Sequence, residues 1–412
     1  MRPAIALCAP SATAPCSSLY RLEIKPDTPQ LAEASLILPQ GRDGEMWLHA
    51  QGAAQGLAPQ IVRPHCDEHA LLEQEARWLK PAGCRRVDWQ IRFDVAQFGR
   101  EDPARHRSLY FPDRSWWLLS AATSLLRPPD DGQAHLAVNA SVLGGGEPVE
   151  GAWPLPDSGA APAFFAIGNA AGTTVGVQRV RVTHVADSPA TVWRMGLIAL
   201  QRRAIAWLAE VMRVKSQERL LVVWLGMDRT VGKISDASGD RSFISCYRPG
   251  DARGSTVSLM MLAHEQFHQL AALDYQASHP AWYGESLAQF YALRAMMRLG
   301  SHPREVQALH RRFIDAARPL EAGLLDWQRR YEAGDAAAYP QFHTQGATFW
   351  HQLDALLRLA SSGRYGLDQD LPALLGTATA EASPLPMALR RQWREMAGPA
   401  VDALIQRYLG SA

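Results

Sequence analysis

The sequence predicts an α+β protein with a β-sandwich-like N-terminal domain (residues 1–188) and an α-rich C-terminal domain (residues 189–412). Three observations support this fold class. In the first half, apolar residues alternate with polar ones along several short segments, as they do in half-buried strands. Helical periodicity dominates the second half. The pattern changes near Asp187-Ser188-Pro189, where turn-forming residues separate the two.

Short strands account for most of the predicted N-terminal domain. Clusters of Gly, Pro and Asp separate the alternating segments, which is typical of a sandwich. Trp116 and Trp117 are predicted to lie in its core. Residues 67–80 are the exception, because their leucines and many Glu and Gln residues predict a short surface helix. The alternating segments are residues 22–24, 89–95, 136–142 and 180–182.

The predicted C-terminal domain begins with a helix over residues 192–214. Two strands follow, at 219–225 and 242–247, and the chain is predicted to be mostly helical after residue 254. The first strand is a short apolar run of the kind found in buried strands. The second offers its backbone for β-addition of a substrate, and Asp240 is the acid nearest to it that can hold an ammonium group.

Charge and hydropathy exclude some functions. The chain has 42 Lys and Arg residues and 41 Asp and Glu residues, a net charge of +1, which argues against a nucleic-acid partner. A continuous run of 18 apolar residues, which a transmembrane segment needs, does not occur. The apolar run near the N-terminus is short and Pro10 interrupts it. We therefore favour the cytoplasm, with the periplasm and secretion as alternatives.

The five cysteines predict no zinc site of their own, because they form no Cys-x-x-Cys pair. Cys66 and Cys84 are predicted to be unlinked thiols, with a disulfide as the alternative. His65 and His69 flank Cys66, and we interpret them as surface residues because no further metal ligand is near in the sequence.

One motif carries chemistry: HEQFH at residues 264–268. Residues i and i+4 lie on one face of a helix, so the imidazoles of His264 and His268 point to one spot, as two zinc ligands require. Glu265 stands beside that spot, where it can take a proton from a zinc-bound water. The alternative is a buried helix whose histidines are hydrogen-bonded and bind nothing.

Two helices are predicted to carry this site. The first runs over residues 257–273 with Ser255 or Thr256 as its N-cap. The second is predicted to start at Pro280, which suits the first helical position, and to end at Gly300.

Glu285 on the second helix is the predicted third ligand. It shares a face with small and apolar residues, where a carboxylate is costly unless it is paired or bound to metal. Two histidines, a glutamate and a water form the ligand set of a catalytic zinc. The alternative is an acid in the first turn of a helix that the helix dipole favours.

These residues resemble a known family. HEQFH followed by Glu285 in PAWYGESLAQFY is similar to the gluzincin (clan MA) metallopeptidases, which include thermolysin and the M1 aminopeptidases. The framing of the glutamate most resembles the peptidase-MA-like and M61 (glycyl aminopeptidase-like) groups. The specific likeness covers residues 255–376. It implies a thermolysin-like catalytic domain that hydrolyses peptide or protein substrates. It also implies one zinc ion per chain, with His264, His268 and Glu285 as ligands and Glu265 as general base.

A second stretch extends the resemblance. Related enzymes often carry Tyr-x-x-Gly at the start of a later helix, and that tyrosine stabilises the oxyanion. Here His343 stands in its place, in the segment FHTQGATFW. An imidazole N–H can donate the same hydrogen bond, so His343 is the predicted catalytic donor. Tyr339 and Tyr283 are the other candidates, and a histidine at the surface is the alternative interpretation.

The sequence also departs from the family. It has no Gly-x-Met-Glu-Asn segment, the free-amine anchor of M1 enzymes, so the choice between aminopeptidase and endopeptidase stays open. Gln289 stands where some relatives place an acid that orients a histidine. The alternative function is a non-catalytic binding or assembly protein with structural or absent zinc. A zinc hydrolase acting on a non-peptide amide would use the same residues. The oligomeric state is not predicted.

Overall fold

Strands fill the first part of the chain and helices the second. The computed structural model describes residues 17–132, 134–228, 236–275, 277–380 and 383–410. The signal-like N-terminal segment considered above lies outside these ranges.

The described residues group into two compact units. The first extends to Gly176 and includes Val180–Met195 and Glu218–Pro249. The second comprises Val177–Arg179, Gly196–Gln217 and Gly250–Ala412. This grouping keeps residues 218–249 with the first unit, whereas the predicted boundary at residue 188 assigns them to the second domain.

Strands occupy all four segments in which alternation predicts them. In the described ranges they are β1 (Ser18–Ile24), β2 (Leu31–Ile37), β3 (Met46–Ala50), β4 (Ile61–Cys66), β5 (His69–Ala70), β6 (Leu72–Gln74), β7 (Arg77–Lys80), β8 (Arg86–Arg92), β9 (Asp94–Val95), β10 (Leu109–Phe111), β11 (Trp116–Ser120), β12 (Leu126–Arg127), β13 (Ala134–Val138), β14 (Val142–Gly144), β15 (Trp153–Leu155), β16 (Phe164–Gly168), β17 (Thr173–Val177), β18 (Val180–Ala186), β19 (Glu218–Gly226), β20 (Asp236–Gly239) and β21 (Ser242–Tyr247).

Three sheets of the first unit share one hydrophobic core. Their strand orders are β15-β13-β1-β2-β8-β4-β5, β14-β16-β11-β10-β9 and β12-β3-β7-β6. Trp89, Trp117 and Trp78, one from each sheet, belong to the same buried cluster. The core position predicted for Trp116 and Trp117 is confirmed, because both side chains are buried.

The helix predicted over residues 67–80 is wrong. This segment forms β5, β6 and β7, and β7 pairs antiparallel with β3, which places Trp78 opposite Leu48. Glu75 and Ala76 have positive φ angles of 51° and 57° and form the turn between β6 and β7. Burial of Trp78 against the sheet outweighs the helical propensity of the surrounding Glu and Gln residues.

The prediction of two unlinked thiols is also wrong, because Cys66 and Cys84 form a disulfide. Cys66 ends β4 and Cys84 lies just before β8, the strand with which β4 pairs. Strand pairing therefore brings two Cα atoms to 6.1 Å that are 18 residues apart in the chain.

The fourth sheet has the strand order β17-β18-β19-β21-β20. β18, β19 and β21 are parallel, and β20 pairs antiparallel with β21. The strands predicted at 219–225 and 242–247 are confirmed as β19 and β21. Since β19 and β20 pair with residues 242–245 of β21 on both sides, this part of the strand is not free for the β-addition considered above.

Most of the α-helices lie in the second unit, and the first two along the chain lie in the first unit. In the described ranges they are α1 (Ala121–Ser124), α2 (Pro189–Arg194), α3 (Leu197–Val211), α4 (Ala252–Asp274), α5 (Ala281–Leu299), α6 (Pro303–Phe313), α7 (Leu324–Glu332), α8 (Tyr339–Gln341), α9 (Ala347–Ala360), α10 (Leu367–Gly376), α11 (Met387–Ala397) and α12 (Ala400–Leu409), with 3₁₀ turns at Gln51–Gln55, Pro103–Arg105 and Pro112–Arg114 and a π-helical turn at Phe342–Gly346.

Two predicted helix boundaries differ in the structure, and a third is confirmed. The helix predicted over 192–214 is interrupted at Gly196, whose φ of 68° separates α2 from α3. α4 begins before Ser255 and Thr256, and its cap is Asp251, whose carboxylate accepts a hydrogen bond from the Gly254 N–H. The end of α5 at a left-handed Gly300 is confirmed. Within the described ranges, every helix is too short or too polar to span a bilayer.

Candidate metal centre

Helix α4 carries the HEQFH motif in the interior of the second unit. Most of its residues from Gly254 to Leu270 are buried, so the motif stands in an apolar setting. His264 is buried, and Glu265 and His268 are half-buried. A single helical turn therefore presents two imidazoles and a carboxylate at the edge of the core.

Helix α5 packs along α4 and supplies Glu285. The Gln328 side chain accepts a hydrogen bond from the Trp282 N–H at 2.9 Å, which fixes the first turn of α5. Ser286, next to the glutamate, accepts a hydrogen bond from the buried Trp350 indole at 2.7 Å. These contacts hold the backbone on both sides of Glu285, so the position of its carboxylate is set by buried neighbours.

The π-helical turn before α9 supplies His343. Gly346 in this turn packs directly on α5, because a Cβ atom placed there would lie 2.4 Å from the Cβ of Ser286. Only glycine permits this approach. The His-x-x-Gly spacing seen in the sequence thus has a structural reason: the glycine brings the turn close to α5, and His343 then lies beside Glu285.

Four side chains converge in one place. His264 Nε2 lies 3.1 Å from Glu285 Oε2 and 3.2 Å from His268 Nε2. His268 Nε2 lies 3.5 Å from the same carboxylate oxygen, and His343 Nε2 lies 3.8 Å from it. Ligand atoms of His264, Glu285 and His343 all lie within 4.8 Å of one another. The structure therefore brings together all the residues that the sequence predicted as ligands, and places His343 with them.

The carboxylate sets the electrostatics of this cluster. Burial alone would raise the pKa of Glu285, but hydrogen bonds from His264 and His268 hold that pKa well below its ordinary value. Burial alone would lower the pKa of His268, but the hydrogen bond and charge of Glu285, together with the charge of Glu265, raise it. Burial and the nearby His264 lower the pKa of His343 to about 4. Glu285 is thus an anion, and the imidazole of His343 is neutral at pH 7.

The two tyrosines considered as donors have different surroundings. Tyr283 is buried, and its hydroxyl donates to the Leu374 carbonyl at 3.0 Å, so it is engaged away from the cluster. Tyr339 lies one helical turn before His343, with the two rings 4.9 Å apart. Burial and a hydrogen bond to Glu285 raise the pKa of Tyr339, which keeps its hydroxyl protonated beside the carboxylate.

Gln289 does not orient a histidine in this structure. Its amide donates to Met260 Sδ at 3.4 Å. The Nδ1 atom of His264 is buried, and no hydrogen-bond partner is found for it among the described protein residues. This contact agrees with a packing role for Gln289.

The donor set fits a zinc ion. Imidazole nitrogens and a carboxylate oxygen are zinc ligands. The Nε2 atoms of His264 and His268 face each other at 3.2 Å, and both approach the same carboxylate oxygen. In such an arrangement the acceptor lone pairs outnumber the protons that can be shared among them. A cation at this position satisfies those lone pairs together. The segment that contains His65, Cys66 and His69 offers no comparable ligand set, because Cys66 is in a disulfide.

No protein-family model and no curated protein matches the chain, but solved structures with a similar fold are found. An aminopeptidase N family protein from Idiomarina loihiensis superimposes with a TM-score of 0.65 and 15% identity, covering 96% of this chain and 76% of that chain. A variant of an M1 zinc metallopeptidase from Deinococcus radiodurans gives a TM-score of 0.48 and 15% identity, covering 96% and 94%.

At this identity, the similarity to the aminopeptidase N family protein concerns the fold. It supports the predicted arrangement of a strand-rich N-terminal part and a helical C-terminal part. The structural neighbours are M1 and aminopeptidase N proteins, so the finer resemblance to the M61 group stays a prediction.

Proposed function

We propose that this protein is a zinc-dependent metallopeptidase that hydrolyses peptide bonds. His264, His268 and Glu285 would hold the metal. The observation that carries the proposal is the convergence of their Nε2, Nε2 and Oε2 atoms within 3.5 Å, with Glu265 adjacent to the first ligand on the same helix. Zinc bound by such ligands polarises a substrate carbonyl and lowers the pKa of a water molecule to about 7.

Glu265 is the proposed general base. It is half-buried at the edge of the cluster, and its negative charge is close enough to raise the pKa of both His268 and Tyr339. There it accepts a proton from the water that attacks the scissile carbonyl. It then passes this proton to the leaving amine as the carbon–nitrogen bond breaks. A site that only binds metal has no need of this carboxylate.

An N–H or O–H donor completes the site by stabilising the oxyanion. The donor role predicted for His343 stays a prediction. Tyr339 is a second candidate, because its ring lies 4.9 Å from that of His343, and burial and the charge of Glu285 raise the pKa of its hydroxyl, which keeps it protonated.

The test compares Glu265→Gln with wild type on a mixed peptide library, with chelator-treated wild type as reference. We expect cleavage to fall by about 10²–10⁴-fold, the usual contribution of a positioned base. Zinc content should stay near one ion per chain, because Glu265 is not a proposed ligand. Glu395→Gln, at an exposed position on α11, is the matched control and should cleave like wild type.

Two results would contradict the proposal. Full activity of Glu265→Gln would exclude the mechanism. Failure of the wild type to retain zinc would exclude the metallopeptidase and favour a binding or assembly role for this fold.

A further inference from the structure

We infer that His343 is a fourth protein ligand of the metal, rather than an oxyanion donor. The inference rests on the proposed metal site and concerns how many of its coordination positions the protein itself fills. With His343 included, the Nε2 atoms of three imidazoles lie within 3.8 Å of one carboxylate oxygen, Glu285 Oε2.

The first support is the set of distances. His343 Nε2 lies 3.8 Å from Glu285 Oε2, and ligand atoms of His264, Glu285 and His343 all lie within 4.8 Å of one another. The rings of His264 and His343 are 5.2 Å apart. His343 thus presents a nitrogen to the same oxygen that His264 and His268 approach.

The second support is that packing holds His343 near Glu285. Its backbone belongs to the π-helical turn, and Gly346 of that turn lies against Ser286, the neighbour of Glu285. The side chain of His343 is 20% exposed, as is that of Glu285. Because this turn packs so closely against the ligand helix, the backbone of His343 is held beside Glu285.

The third support is Tyr339, one turn before His343. Its ring lies 4.9 Å from that of His343, so an O–H donor of the kind that relatives with Tyr-x-x-Gly use already stands beside the cluster. The donor role therefore does not require His343, and the imidazole is available to the metal.

A fourth protein ligand changes what the site can do. Zinc sites closed by four protein ligands are structural, whereas catalytic sites keep one position for water or substrate. His343 would then have to give up its position before a substrate carbonyl could bind. Metal retention and access to substrate would depend on the same side chain.

The test measures metal affinity of the full chain by competition with a chromophoric chelator. Wild type is compared with His343→Phe and His343→Asn, and with the control His351→Phe, a half-buried histidine of α9 that contacts His310. We expect both His343 variants to bind Zn²⁺ at least about 10-fold more weakly, the smallest effect usual for loss of even an outer partner of a ligand. Replacement with Co²⁺ should give visible absorption that differs between wild type and these variants.

Unchanged Zn²⁺ affinity and an unchanged Co²⁺ spectrum in both His343 variants would overturn the inference. The peptidase proposal would survive that result if Glu285→Gln still abolished Zn²⁺ binding. If wild type bound no Zn²⁺, both ideas would fail together. Circular dichroism of the metal-free proteins identifies a variant that has not folded, and the smaller His343→Asn change then decides.

Discussion

The two units each contain a buried polar cluster, and the two clusters differ in how their charges are balanced. In the first unit, Arg127 lies 3.2 Å from Asp131, and both side chains are almost fully buried. Asp131 also accepts hydrogen bonds from Ser18 at 2.6 Å and from Tyr20 at 3.0 Å. In the second unit, the imidazoles of His264, His268 and His343 approach one carboxylate.

The two clusters differ in how well their hydrogen-bond donors match their acceptors. Arg127 supplies only donors and Asp131 only acceptors, so the two opposite charges of the first cluster balance each other, although Arg127 Nη1 has no hydrogen-bond partner among the described residues. The second cluster has more lone pairs than protons, and one imidazole nitrogen in it, Nδ1 of His264, has no protein partner among the described residues. The charges of the first cluster thus balance within the protein, whereas the lone pairs of the second leave a place for a cation.

The largest expected effect comes from breaking the ion pair between Arg127 and Asp131. Asp131→Asn leaves the Arg127 charge buried without its partner, which should lower the free energy of unfolding by about 3–5 kcal/mol. Urea denaturation measures this. Asp402→Asn, in a solvated ion pair with Arg390, is the control and should unfold close to wild type.

The same variants sharpen the comparison when zinc is added. At 100-fold excess over its Kd, zinc should add about 2.7 kcal/mol to the stability of wild type and of Asp131→Asn. Glu285→Gln should gain nothing. Equal zinc stabilisation in all three proteins would show that the second cluster is not a metal site.

The next effect concerns how the second cluster is held in place. Gly346→Ala puts a Cβ atom 2.4 Å from the Cβ of Ser286, and relief of this overlap should cost about 1–3 kcal/mol. It should also move His343 away from Glu285 and weaken zinc binding. Gly376→Ala, whose new Cβ lies 3.5 Å from the Tyr275 ring, is the matched control. Melting curves with and without zinc would contradict this account if both variants behaved alike.

The smallest effect is a pH dependence in the first unit. Burial lowers the pKa of His184 from 6.5 to about 4, and the Trp224 indole donates to its Nδ1 at 3.1 Å. Because the unfolded chain takes up this proton first as the pH falls, the associated stability is present above pH 6.5 and is lost toward pH 4.

His184→Gln keeps an acceptor for the indole but does not titrate. Its stability should therefore fall less than that of wild type over this range, by about 1–3 kcal/mol. His69→Gln, at an exposed position, is the control. Parallel pH profiles of wild type and His184→Gln would show that this imidazole does not contribute.

Much of the fold is predictable from the sequence because its signals are local. Alternation along β1, β8 and β18 reflects one buried face, and the apolar run of β19 reflects burial on two. The hairpin formed by β6 and β7 was not predictable. Its turn uses Glu75 and Ala76 at positive φ, where Gly or Asn normally gives the signal.

The candidate site also has a part that the sequence predicts and a part that it does not. The i, i+4 spacing of HEQFH fixes the relation of His264 to His268 within one helix, so the sequence could predict that pair. The approach of Glu285 and His343 depends on Gly346 packing on Ser286, two residues on different helical segments. Glycine in a sequence does not show which neighbour it will meet, so the place of His343 within the cluster required the structure.

The disulfide between Cys66 and Cys84 bears on where the protein works. Reducing systems of the cytosol keep such thiol pairs open, whereas the periplasm and the extracellular space let them form. A cross-link between the end of β4 and the start of β8 thus favours a compartment outside the cytosol, contrary to the preference from the N-terminal sequence.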